Sequence, residues 1–336
     1  MFKKASLEGE KFTDREKASK FREKGIVLVT PREKDEQEIL RELRMSFERE
    51  FESQSYPRCL TIDKIFDKTI ISQVTKFLSS EYIQNFFSSL ESEYKCGDVT
   101  LFPYIDLVRN YFSGPQDGEH GWHDDGGGER RYEYCRRRWT DNYLFGKLGI
   151  PLQKNGEMGG SIDIAESTLS ENPVAPLRQR ISRKLQSTYF NICKKSPPLL
   201  GDQWLTDLLA LPTSPKTVDP NPLQVYAFSS KLFHRGTPIS PRRWSGILKK
   251  HPSAKIEGYT LPGNINLGPF NKYMIYVHFG NKTGLESYVY DRSRRPGWQK
   301  ERSTWIEQYK TFEPFKRIYK NSSILFEQVC LESESK

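Results

Sequence analysis

From about residue 100 onward the sequence breaks into short runs rich in Tyr, Val, Ile and Phe, bounded by Gly, Pro and Asn. They are VTLFPYIDLV (99–108), YLFGKLGIPLQ (143–153), GGSIDIA (159–165), LQVYAFSS (223–230), KYMIYVHFG (272–280) and ESYVYD (286–291). Several alternate apolar with polar residues, the pattern of half-buried strands in an antiparallel barrel or sandwich. No long helical pattern alternates with each strand, which disfavours a doubly wound parallel sheet. Two less regular stretches, 165–221 and 238–270, interrupt the strands. Such insertions either supply lids and substrate contacts or are plain exposed loops.

The first hundred residues read differently. EKDEQEILRELRMSFEREFE (33–52) carries Ile39, Leu40, Leu43 and Phe47 at helical spacing among charges, so it predicts a helix with a narrow apolar stripe. Its plain role is to cover the core, and partner binding is the alternative. GIVLVTP (25–31) predicts a short strand ended by Pro31. Between 62 and 95, Ile65, Phe66, Ile70, Ile71, Val74 and Phe77 precede a second helical pattern that Ser79 or Ser80 would cap. The expected organisation is a helical and short-strand support region over 1–97, followed by a catalytic core over 98–336 that holds both insertions. A length of 336 residues is ample for one large core.

The sharpest chemical feature is GWHDDGGGER (121–130). In an extended segment residues two apart face the same side, so His123 and Asp125 converge on one ion while Asp124 points away. An imidazole with a carboxylate suits divalent iron far better than a thiolate-loving metal. By itself a His-x-Asp also occurs by chance in a surface loop. The second feature is FSSKLFHRGTP (228–238), where a short strand ends at His234, one of only five histidines in the chain. Three ligands, His123, Asp125 and His234, would cover one face of iron and leave positions open for a cosubstrate and dioxygen. That makes an oxygenase more natural than a hydrolase.

On these motifs the chain resembles the phytanoyl-CoA dioxygenase family of Fe(II)/2-oxoglutarate-dependent oxygenases. The family's His-x-Asp corresponds to His123 and Asp125, and its distal histidine to His234 in LFHRGTP. FGKLGIPLQKNGEMGGSIDIAEST (145–168) resembles its central strand and turn, with Ser167 and Thr168 where the family continues to a further histidine. The resemblance implies a mainly β fold with flanking helices, a double-stranded β-helix or cupin-like jelly roll. It implies Fe(II) and 2-oxoglutarate as cofactors and O2 as cosubstrate. Substrate hydroxylation would release succinate and CO2. A cation would hold the far carboxylate of 2-oxoglutarate: Arg243 and Arg242 by spacing after His234, or Lys272 by strand pattern. Thr237 would add a hydroxyl, or simply stabilise its turn. Lys147 and Gln153, on the central strand, are further candidates for the cosubstrate site.

Tyr104 and Asp106, just before the metal segment, are candidate substrate contacts or ordinary barrel residues. Arg130, Arg131 and Arg136 belong to the basic stretch ERRYEYCRRRWTDN (129–142), which forms either an anion-binding lip or a solvated loop. Lys and Arg total 52 against 43 acidic residues, a net +9 that favours an anionic partner. A small or lipid-linked anionic substrate is the leading expectation. Oxidation of nucleic acid or protein is the alternative enzyme reading, and a non-catalytic anion-binding jelly roll the alternative of another class. Five cysteines without CxxC spacing read as reduced and intracellular. No run approaches a membrane-spanning length, so the expectation is a cytoplasmic protein, open to peripheral membrane contact. No sequence feature specifies oligomerisation.

Overall fold

The computed structural model describes residues 3–5, 12–29, 34–53, 59–61, 68–96, 99–109, 143–152, 162–165, 216–218, 224–237, 249–250 and 273–284. The strand expected at 286–291 and most of the two insertions lie outside the described residues. In chain order the elements are β1 (Lys3–Ala5), α1 (Asp14–Lys24), β2 (Ile26–Leu28), α2 (Lys34–Ser53), β3 (Cys59–Thr61), α3 (Lys68–Leu78) and α4 (Glu81–Tyr94). Then follow β4 (Thr100–Arg109), β5 (Phe145–Pro151), β6 (Ile162–Ala165), β7 (Lys216–Val218), β8 (Tyr226–Ser229), β9 (Phe233–Gly236) and β10 (Tyr273–Gly280).

These strands form a six-stranded sheet in the order β2-β8-β5-β10-β4-β3 and a four-stranded sheet in the order β1-β7-β6-β9. All pairings are antiparallel except β1 with β7. The chain passes from the large sheet at β5 to the small one at β6 and β7. It then returns at β8, crosses again at β9 and comes back at β10. This winding between facing sheets resembles a jelly roll. The expectation of a mainly β chain needs correction, because among the described residues α1 to α4 hold more residues than the ten strands. The cause is local: the amphipathic stretches before residue 95 are long, while many of the strands are only three or four residues.

The large sheet has two apolar faces, which explains its near-continuous hydrophobic runs. On one face Val27, Ala227, Leu148 and Val277 stand in register across four strands. The helices cover this face. From α4, Ile83, Phe86, Phe87, Leu90 and Tyr94 are buried at helical spacing. Phe279 meets Phe21, Phe86 and Phe87 at ring separations of 5.8, 6.4 and 5.2 Å. Along α2, Ile39, Leu40, Leu43 and Phe47 are buried as their spacing predicts, and Phe47 lies edge-on to Tyr273 at 5.7 Å. The opposite face of the sheet, with Ile26, Leu28, Phe228 and Met274, packs against Ile162, Ile164 and Val218 of the small sheet.

Local signals set the helix ends. Thr13 caps α1 in a reciprocal box: its hydroxyl accepts from the Glu16 amide, and the Glu16 carboxylate accepts from the Thr13 amide at 2.7 Å. The bond from the Thr13 amide, and a second that the Thr13 hydroxyl donates to the same carboxylate at 2.9 Å, hold the Glu16 carboxyl below its usual range. Gly25 closes α1 in the left-handed conformation, with φ 72°, at no steric cost. The expected serine cap of α4 is absent in its hydrogen-bonded form. Ser80 occupies the cap position, but its hydroxyl makes no capping bond, and the Ser79 hydroxyl donates instead to the Thr75 carbonyl at 2.8 Å. Within β4, pairing with β10 is irregular between Val277 and Phe279, opposite the stretch holding Pro103. A proline has no N–H to give the ladder, and a bulge is where a sheet tolerates it. No helix among the described residues is long and apolar enough to cross a membrane.

Candidate active site

The space between the two sheets is apolar apart from a few side chains that the strand pleat turns inward. In β9, His234 pairs with Ile164, and Ile164 belongs to the inter-sheet core, so the alternation puts His234 on the interior face. Its ring is 5% exposed and sits edge-on to Phe228 at 5.0 Å. Nδ1 lies 2.8 Å from the Leu232 carbonyl oxygen. A carbonyl only accepts, so Nδ1 carries the proton of that bond, and the neutral ring then presents a lone pair at Nε2. Metal-ligating histidines are commonly held this way, one ring nitrogen fixed by a carbonyl and the other turned to the ion.

One interior row of the large sheet runs Ile26, Phe228, Lys147 and His278 across β2, β8, β5 and β10. The Lys147 ammonium stands 5.9 Å from the Phe228 ring centre, on the ring that also contacts His234. Its cross-strand neighbour His278 is buried and stacked on Phe145 at 5.8 Å. The next row runs Leu28, Tyr226, Gly149 and Tyr276. Burial pushes the Tyr226 phenol well above its ordinary range, and its hydrogen bond to Tyr276 adds to the shift. Tyr226 therefore stays a neutral, donating hydroxyl at all ordinary pH.

Gly149 makes room for that phenol. A Cβ built there would clash with the Tyr226 ring. Gly149→Ala is expected to lower stability by about 1–3 kcal/mol, through overpacking. The same change in a Tyr226→Ala background should cost far less, because the two positions are coupled by contact. Urea unfolding of the four proteins of that cycle checks it, and additive effects would mean that the ring lies elsewhere.

The opposite face of the small sheet is also polar. Asp163 and Arg235, 0% and 1% exposed, form an ion pair at 2.9 Å. The Thr217 and Thr237 hydroxyls donate to the other carboxylate oxygen at 2.7 and 2.9 Å. This is where the predicted Thr237 lies: bonded to Asp163, on the side away from His234. Sequence reading did not single out Asp163, Arg235, Thr217, Tyr226, Tyr276 or His278. The detectable signal was a charge at the centre of the apolar SIDIA run, beside a second charge next to His234 in FHRGT.

Of the other predicted residues, Tyr104 and Asp106 lie on β4, Asp106 in register with Tyr276 and Tyr104 in the irregular stretch. His123, Asp125, Arg130, Arg131, Arg136, Gln153, Arg242, Arg243 and Lys272 fall outside the described residues. Among the described residues no three His, Cys, Asp or Glu side chains come together, two of the three candidate ligands being beyond them. His234 itself fits a metal: it is buried, hydrogen-bonded through Nδ1 and turned into the interior.

No family model matches the sequence, and no curated protein matches it. Among solved structures the chain is similar to EvdMO1, with 12% identity and a TM-score of 0.43 over 79% of this chain and 49% of that one. It is similar to AviO1 from Streptomyces viridochromogenes Tue57, with 13% identity and a TM-score of 0.44 over 82% and 96% of the two chains. It is also similar to EctD from S. alaskensis, solved with bound Fe, with 13% identity and a TM-score of 0.43 over 84% and 81%. The chain spans about half the length of EvdMO1, at 49%, and most of the other two.

Proposed function

We propose that this protein is an Fe(II)/2-oxoglutarate-dependent dioxygenase that hydroxylates a small or lipid-linked anionic substrate. The iron would be held by His123, Asp125 and His234, in a core spanning 98–336 that the region 1–97 supports. The observation that carries this reading is the setting of His234. A buried imidazole on the interior face of a jelly-roll-like sandwich has its Nδ1 proton on the Leu232 carbonyl at 2.8 Å. With Nδ1 carrying the proton, Nε2 is the ring atom that would bind the metal, and the HDD motif supplies an imidazole and a carboxylate of the kind iron(II) takes. When bound, iron would let O2 act as the oxidant, with 2-oxoglutarate and the substrate C–H bond each giving up two electrons: 2-oxoglutarate, O2 and a C–H bond give succinate, CO2 and an alcohol.

The protein's own part is positioning and electrostatics. His234 is held in one tautomer and one orientation by Leu232 and Phe228. Lys147 places a positive charge on the same interior face, where the far carboxylate of 2-oxoglutarate would find a partner. Tyr226 and Tyr276 offer hydroxyls, and the aromatic walls exclude water. Arg243, Arg242 and Lys272 are the competing carboxylate anchors, and Gln153 the remaining candidate for that site, Thr237 being turned to Asp163 on the outer face. Arg130, Arg131 and Arg136, with Tyr104 and Asp106, are the proposed contacts to the anionic substrate.

Lys147→Met separates these anchors. Loss of a charge-assisted hydrogen bond is worth about 1.5–3 kcal/mol, so half-saturating 2-oxoglutarate should rise about ten- to hundredfold with kcat changed far less. An unchanged KM would move the anchor to Arg243, Arg242 or Lys272. The reading as a whole is tested by incubating the protein with Fe(II), 2-oxoglutarate and O2 and measuring succinate. Iron-dependent succinate is expected. Its absence, in protein that still binds 2-oxoglutarate, would favour an anion-binding jelly roll over an enzyme. Turnover stimulated only by nucleic acid or protein would replace the small-molecule substrate.

A further inference from the structure

β9 is four residues long, and its sequence Phe-His-Arg-Gly has two adjacent polar side chains at its centre. Its own pattern therefore does not say whether His234 or Arg235 belongs in the interior. In a strand pair, a slip of one residue turns every side chain to the other face. Strands this short, with few apolar residues, specify register weakly.

Asp163 supplies what β9 lacks. It lies between Ile162 and Ile164, both in the inter-sheet core, so its side chain stands on the face turned away from the interior. There Oδ2 accepts from Arg235 Nε at 2.9 Å, and Oδ1 accepts from Thr217 Oγ1 at 2.7 Å and from Thr237 Oγ1 at 2.9 Å. One carboxylate thus ties together β6, β7, β9 and the residue after β9. Asp163 and Arg235 are themselves in register, as are Ile164 and His234. The site accepts Arg235 on the outer face only when His234 faces inward.

We infer that Asp163 and Arg235 form a register lock, positioning residues that keep His234 on the interior face. A buried ion pair contributes little to stability compared with apolar side chains of similar volume. Selecting one register is a role that apolar replacements would not fill. The functional consequence rests on His234 being a metal ligand, as proposed above. The lock itself rests on the sheet geometry.

The test is the full-length double variant Asp163→Leu/Arg235→Met, which replaces both charges and leaves neither stranded. Three quantities are read: unfolding in urea, the nuclear Overhauser contact between the His234 and Phe228 rings in metal-free protein, and Co(II) affinity by absorption titration. The expected result is a folded protein of near wild-type stability in which the ring contact is lost or strongly weakened and Co(II) affinity falls about 10- to 100-fold. A folded double variant that keeps both the ring contact and the wild-type affinity would overturn the lock. Should the double variant not fold, Asp163→Asn keeps the volume and an acceptor for the threonines while removing the charge. It is expected to split the His234 ring signals between two registers, and a single wild-type signal with its Phe228 contact would overturn the inference. A wild-type protein that binds no Co(II) would count against the metal site, and the ring contact would still decide the lock.

Discussion

Asp163→Leu alone, with Arg235 left in place, should lower the unfolding free energy by about 3–5 kcal/mol, the cost of removing one member of a buried ion pair. Arg235 is 1% exposed, so solvent has little access with which to relieve its charge. The Thr217 and Thr237 hydroxyls lose their common acceptor in the same step. Against a typical domain stability of about 5–15 kcal/mol, that loss is enough to move a urea midpoint far to the left or to prevent soluble expression at growth temperature. Adding Arg235→Met should restore most of it, because the stranded charge disappears. A single variant as stable as the wild type would mean that Arg235 finds another counter-charge.

His234→Ala is the second large effect. If the imidazole is one of three protein ligands, its removal should weaken iron binding and succinate formation by more than the roughly 10- to 100-fold typical of lost outer-shell support. The fold should survive, since Phe228 and the Leu232 carbonyl keep their places in β8 and the following turn. Iron content after dialysis, compared between wild type and variant at matched circular dichroism, gives the result. Equal iron retention would show that His234 is a buried structural histidine held by Leu232 and Phe228.

What could be read from the sequence follows from periodicity. The stripe Ile39, Leu40, Leu43 and Phe47 and the runs at 99–108, 143–153, 223–230 and 272–280 became the expected helix and strands, and α2, β5, β8 and β10 bury residues at the spacing their geometry fixes. Among the three-residue strands only β2 leaves such a trace, in GIVLVTP. β1, β3 and β7 are strands only because a distant partner offers a ladder, and which partner is a non-local fact. The same holds for Ser80: residue type marks a cap, but the surroundings decide whether the hydroxyl is used. His234 drew notice because histidine is rare in the chain, but the strand expected to end there is two strands: β8 ends at Ser229 and His234 lies within β9. The orientation of its side chain could not be read, since His234 and Arg235 are both polar, and Asp163, which pairs with Arg235, lies far away in the chain. Tyr226 and Tyr276 look like ordinary strand aromatics until register puts them in one row with Gly149 between.

The central claim is an iron site formed by His123, Asp125 and His234 that also takes 2-oxoglutarate. Its most direct test is an anaerobic titration of the protein with Fe(II) and then 2-oxoglutarate, followed by visible absorption. The account predicts a weak charge-transfer band that appears only when both are present and is lost in His123→Ala, Asp125→Ala and His234→Ala. A folded wild-type protein that gives no band and retains neither Fe(II) nor 2-oxoglutarate would contradict it.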